Sequence, residues 1–205
     1  VIDKYFSKIY CINLDRREDR WIDSLKEFEK NNIQNVQRFS ATDGLLVPRD
    51  GYPNNMGQGD IGSLITHLRI FNDAIKNNYE NFLILEDDIE FTKNFNEKFE
   101  IAIKDVPSNW QILQFGGNHV FGQPTPLTEN IAIPHQTLTT HAVAFDSSIY
   151  EQMISLLNKN QPNDVTYAYN LYKFNSFVFH PPLAWQRPSW SDVTNSFANY
   201  EFLKG

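Results

Sequence analysis

Four consecutive apolar residues, Phe82-Leu83-Ile84-Leu85, run straight into three carboxylates, Glu86-Asp87-Asp88. An apolar run this short, without alternation, reads as a strand buried on both faces. Such strands belong to sheets flanked by helices, and these sheets gather ligands at the carboxyl ends of their strands. The three acids stand at that end. In an extended chain Glu86 and Asp88 point to one side and Asp87 to the other. Like charges this close repel, so the cluster favours a cation, and hard oxygen ligands favour Mg²⁺ or Mn²⁺. Such an ion would neutralise a diphosphate beside it. The same acids would also fit a solvated turn that caps the next helix.

The rest of the chain supplies the expected flanking layers. Residues 8–14 read as a first strand. Residues 17–30 read as a helix, with Trp21, Leu25 and Phe28 at helical spacing. Residues 36–39 form a second strand, and 42–58 a long Gly-, Pro- and Asn-rich loop. Asp60 is placed to cap the next helix, where Ile61, Leu64, Ile65, Leu68, Phe71 and Ile75 make one apolar stripe. A helix over 95–106 and a strand over 110–115 follow. This alternation predicts an α/β fold with parallel early strands. Residues 116–134 read as an extended excursion, 137–145 as a strand, 148–157 as a helix, 176–180 as a strand and 181–192 as irregular. The two long loops, 42–58 and 116–134, are candidate substrate loops.

With 205 residues, one domain is expected. The 18 basic and 25 acidic residues leave a net charge of −7, which argues against a nucleic acid polymer or a polybasic membrane contact. Cys11 is the lone cysteine, so it makes no internal disulfide and no thiolate zinc site by itself. No apolar run approaches a membrane span, and the start does not resemble a signal peptide. A cytoplasmic setting is therefore expected. A chain beginning at Val1 reads as a mature form or a domain excised from a larger protein.

Two further segments carry chemistry. Asn13-Leu14-Asp15-Arg16-Arg17-Glu18-Asp19-Arg20 places three arginines directly after the first strand, suited to phosphate or to paired charges on a helix. Gly59-Asp60-Ile61-Gly62-Ser63-Leu64-Ile65-Thr66-His67 puts glycines at a helix start, where free N–H groups favour anions. Its spacing is neither a Walker A nor a dinucleotide fingerprint. His67, beside the apolar stripe, also fits a core position. There is no G-x-S-x-G and no H-E-x-x-H, and His119, His135, His141 and His180 do not make a zinc spacing.

Taken in order, six pieces resemble family 25 glycosyltransferases, which include lipopolysaccharide sugar transferases and collagen β-galactosyltransferases. They are YCINLDRREDR at 10–20, Ala41-Thr42-Asp43-Gly44, GDIGSLITHLRIF at 59–71, FLILEDDIEF at 82–91, Thr140-His141-Ala142, and PPLAWQRPSWSD at 181–192. Thr66, Val143 and Gln111 depart from the family pattern.

The resemblance implies a GT-A fold, with a nucleotide-sugar half at about 1–115 and an acceptor half at about 116–205. It implies inverting transfer of a hexose, galactose or glucose, from a UDP-sugar to a glycan or a protein such as collagen-like hydroxylysine. The E-D-D would hold Mn²⁺ or Mg²⁺, with Asp88 and Glu86 as ligands and His180 completing the site. Asn13, Leu14, Arg16, Arg20, Asp43, Gly44, Gly62, His67 and Asp87 would bind the nucleotide-sugar. The general base that inverting transfer needs would be Asp164 or Asp192, and His141 would contact sugar or acceptor. Each of these two acids would equally serve as a helix cap. A catalytically silent module that binds a glycan or supports a partner fits the same fold. A Mg²⁺-dependent nucleotidyltransferase has no motif match.

Overall fold

The structure, a computed structural model, describes residues 1–192 and 196–204. In chain order the elements are β1 (Lys8–Asn13), α1 (Glu18–Lys30), β2 (Val36–Ser40), α2 (Gln58–Lys76), β3 (Asn81–Glu86), β4 (Ile89–Phe91), α3 (Phe95–Ala102) and β5 (Ile112–Gln114). Then come β6 (Asn118–His119), β7 (Thr125–Pro126), β8 (Ile131–Ile133), β9 (Thr137–Leu138), β10 (Ala142–Asp146), α4 (Tyr150–Leu157) and α5 (Asn163–Ala168). β11 (Ser176–Phe179), β12 (Ala184–Gln186), β13 (Ser189–Ser191) and β14 (Ser196–Ala198) complete the chain.

Eight strands form one sheet in the order β2-β1-β3-β10-β5-β11-β8-β7. β2, β1, β3, β5, β11 and β7 run one way, and β10 and β8 run the other. The early strands are parallel, as the alternation of strands and helices predicts. Phe82, Leu83, Ile84 and Leu85 are all fully buried. Leu83 and Leu85 pack in one core with Phe28 of α1 and Phe95 and Phe99 of α3. Phe82 and Ile84 pack in the other with Leu64 and Phe71 of α2, Met153 of α4 and Tyr167 of α5. Alternate side chains of one strand thus feed two cores, and helices cover both faces. The fold is an α/β sandwich of the GT-A type.

The later half is more regular than its composition predicts. The excursion at 116–134 carries β6, which pairs with β9, and β7 and β8, which extend the main sheet beyond β11. The expected strand at 137–145 breaks at Thr139, whose φ is +78°. Residues 181–192 are not irregular: β12 pairs with β4 directly after the acid cluster, and β13 pairs with β14. α5 has no counterpart in the sequence-based expectation. α2 begins at Gln58, two residues before Asp60. Asp60 sits at the third helical position, and its carboxylate accepts the Gly57 N–H at 2.8 Å.

Candidate active site

β1 and β3 are parallel neighbours, so their carboxyl ends bring Asn13 and Glu86 to one edge of the sheet. The tight turn from β3 into β4 then presents Asp87 and Asp88. These four residues line a cleft of about 840 Å³. Leu14, Arg16, Arg20, Asp43, Gly44, His67, Asp164 and Asp192 also line it. Distant segments of the sequence therefore converge on one site.

Each acid has its own partners. Thr140 Oγ1 donates to Glu86 Oε1 at 2.6 Å, and Gln186 Nε2 donates to Oε2 at 3.1 Å. Burial, and after it the negative charge of Asp88, push the Glu86 carboxyl up to about 8. Asn13 Nδ2 donates to Asp87 Oδ2. Burial pushes Asp87 up to about 6, against the pull of Arg20. One nitrogen of the Arg20 guanidinium bridges Asp87 Oδ1 at 2.7 Å and Asp88 Oδ2 at 2.8 Å. Asp88 Oδ1 is buried and has no hydrogen-bond partner among the described residues. No three His, Cys, Asp or Glu side chains among the described residues are grouped to hold a metal ion.

The arginines after β1 meet carboxylates. Asp192 accepts from Arg16 Nη1 at 2.8 Å and from Arg17 Nη1 at 2.6 Å. Arg16 Nε also pairs with Asp43 at 2.8 Å, which holds that carboxyl below its usual range. Both Asp192 oxygens thus face guanidinium groups. Asp164 differs. It lines the cleft at the start of α5, and burial followed by the charge of Asp60 raises its carboxyl. A raised carboxylate is the better proton acceptor near neutral pH.

The remaining expected residues fall into three groups. His67 is fully buried on α2, and its Nδ1 meets the Tyr167 hydroxyl at 2.8 Å. Desolvation pushes its imidazole down to about 3, so it is neutral. Gly62 does not line the cleft. Its backbone packs against the 42–44 segment, where Thr66 Oγ1 accepts the Thr42 N–H at 2.9 Å and donates to Gly62 O at 2.7 Å. The threonine that departs from the family pattern therefore supplies a hydroxyl that ties loop to helix.

His141 and His180 are not brought into the cleft. His141 is fully buried, with Nδ1 at Thr139 Oγ1 and Nε2 at Ala184 O, so it joins β10 to β12 from beneath. β11 lies three strand positions from β3, about 14 Å away at normal strand spacing. That separation removes His180 from the acid cluster, and His180 instead interacts electrostatically with His119. Several cleft residues were not singled out from the sequence: Ser63, Thr140, Asn163, Gln186, Trp190 and Tyr200. Ser63, Thr140, Gln186 and Trp190 sit inside the matching segments, which was the one signal available for them.

The chain also resembles known proteins. The profile of "Glycosyltransferase family 25 (LPS biosynthesis protein)" matches residues 6–168. Mouse procollagen galactosyltransferase 2 is 27% identical over 140 residues, covering 57% of this chain and 22% of the relative. A human relative named inactive glycosyltransferase 25 family member 3 is 23% identical over 137 residues, covering 56% of this chain and 22% of its own. The matched region thus spans about a fifth of these relatives. The crystal structure of a glycosyltransferase involved in glycosylation of the PBCV-1 major capsid superposes with a TM-score of 0.50. It is 14% identical and covers 83% of this chain and 79% of its own, a likeness of fold. The chain belongs to glycosyltransferase family 25.

Proposed function

We propose that this chain is a metal-dependent, inverting glycosyltransferase that moves a hexose from a UDP-sugar to a hydroxyl of a glycan or protein. The observation that carries the reading is Asp88 Oδ1, a buried carboxylate oxygen without a partner among the described residues, beside a second carboxylate at the strand ends. Hard oxygens of this kind fit Mn²⁺ or Mg²⁺, and Mg²⁺ in particular is usually held by one or two carboxylates plus substrate phosphates, with no all-protein cage. Asp88 and Glu86 would hold the ion, which would supply charge neutralisation for the departing diphosphate.

The chain's own residues account for the remaining roles. Arg16 and Arg17 meet phosphate oxygens once Asp192 gives way. Arg20 positions Asp87 and Asp88. Asp164 accepts the proton of the acceptor hydroxyl. Galactose and glucose both fit the reading.

The test is a screen of UDP-sugars for Mn²⁺-dependent hydrolysis or transfer, with Asp88→Asn alongside. Turnover is expected in the unsubstituted chain, and the variant should lose on the order of 10²-fold or more while keeping its circular dichroism spectrum. Wild-type turnover in the variant would remove Asp88 from the metal site. One observation favours a second reading. Arg20 already neutralises Asp87 and Asp88, as suits a silent glycan-binding or partner-supporting module. Absence of UDP binding by calorimetry, with and without Mn²⁺, would establish that reading instead.

A further inference from the structure

We propose that Tyr200 contacts the attacking hydroxyl in the transfer step and orients it, from a place between the acids that would hold the ion and the acid that would take the proton. The inference rests on the inverting-transfer reading above and deepens it.

Tyr200 follows β14 and lines the cleft together with Glu86, Asp88 and Asp164. These acids come from separate elements, Glu86 from the end of β3 and Asp164 from the first turn of α5. Tyr200 interacts electrostatically with all three, so its phenol stands near both groups. Its ring is half-buried and therefore open to a molecule in the cleft. The backbone around it is anchored. Tyr200 O accepts the Leu203 N–H at 2.9 Å, and the turn at Glu201–Leu203 packs against β12. Lys204 Nζ pairs with Glu90 Oε2 at 3.3 Å and lies 5.6 Å from the centre of the Trp185 ring. Glu90 and Trp185 are partners across β4 and β12. The ribbon that steadies Glu86 through Gln186 thus also carries the segment that holds Tyr200. Tyr200 lies beyond residues 6–168, the region matched by the family profile.

In inverting transfer the acceptor oxygen bonds to the anomeric carbon as the bond from that carbon to the diphosphate breaks, and the electron pair leaves with the diphosphate. The hydroxyl proton passes to Asp164. One lone pair of the oxygen attacks, and the other is free to accept a hydrogen bond. A phenol beside Asp164 supplies that donor without competing for the proton. Burial, and after it the charges of Glu86, Asp88 and Asp164, raise Tyr200, so it stays protonated and keeps its O–H. With the proton aimed at Asp164 and the second lone pair held by Tyr200, the attacking lone pair has a fixed direction. Orientation of this kind acts on the rate of transfer and not on the binding of the donor.

The experiment is Mn²⁺-dependent hydrolysis of UDP-galactose and UDP-glucose by the whole chain, in which water is the attacking hydroxyl. Tyr200→Phe removes the phenol oxygen and keeps the ring. Its kcat should fall about fivefold, the worth of one hydrogen bond. KM for the UDP-hexose and the calorimetric affinity for UDP should each stay within about twofold. The melting temperature should not change.

A higher KM at unchanged kcat would make Tyr200 a donor contact and overturn the inference. So would a variant that matches the unsubstituted chain, or one that loses kcat and UDP affinity in parallel. If the unsubstituted chain binds UDP but hydrolyses neither UDP-hexose, only this inference falls. If it binds no UDP at all, the donor reading falls and the inference with it.

Discussion

Asp192, which lines the cleft, holds Arg16 and Arg17, each through a short ion pair. On the proposed reading a diphosphate entering the cleft would meet the Arg16 guanidinium, so Asp192 would compete with it. Asp192→Asn should therefore tighten UDP binding by about two- to fivefold at low salt, the scale of a partly exposed pair. The gain should fade at high ionic strength. Calorimetry at two salt concentrations checks this, and unchanged affinity at low salt would remove the competition. At this scale the sequence is legible where chemistry is dense. The E-D-D and the arginines after β1 declare themselves by residue type. His180 misleads because a histidine at a strand end carries no record of which strand lies beside it. Asn163 and Gln186 stay silent, because amides are common and their value here comes only from what they face.

At the scale of elements, the start of α2 and the turn that follows β2 meet backbone to backbone. A Cβ at Gly62 would sit 2.5 Å from Thr42 O and 2.7 Å from Gly44 N. A Cβ at Gly44 would sit 1.7 Å from Gln58 O. The sequence offers Gly62 as an anion contact, whereas in the structure it serves as the point of close approach that holds Asp43 against the cleft. Gly62→Ala is therefore a test of sign. Helix propensity alone predicts a gain of about 1 kcal/mol. Overpacking against main-chain atoms predicts a net loss of about 1–3 kcal/mol. Loss is expected in urea unfolding, and a gain would show that the loop yields freely. Elements are legible when their pattern is local. β3 shows as an apolar run and α2 as a stripe. β8 and β12 do not, because each is short and exists through pairing with a strand far away in sequence, β11 and β4 respectively.

For the whole molecule, the buried histidines couple folding to pH. His67 and His141 are enclosed and neutral, and desolvation lowers both imidazoles. For His67 the folded value is about 3, against about 6.5 in an unfolded chain. Above pH ~6.5 neither state binds this proton, and the stability is fully present. Below it the unfolded chain takes up a proton that the native chain refuses, so stability falls until the folded value is reached. Glu86 and Asp87, raised by burial, act in the opposite direction at intermediate pH, so the overall curve mixes both signs. A difference measurement isolates one group. Between pH 7 and 5 the unsubstituted chain should lose about 2 kcal/mol relative to His67→Phe, the integral of a single titration with an unfolded value near 6.5. Urea unfolding of both proteins at the two pH values reads this directly. Parallel losses would mean that His67 is protonated as easily inside the fold as outside it, and that the packing of α2 against α5 does not exclude water from the ring.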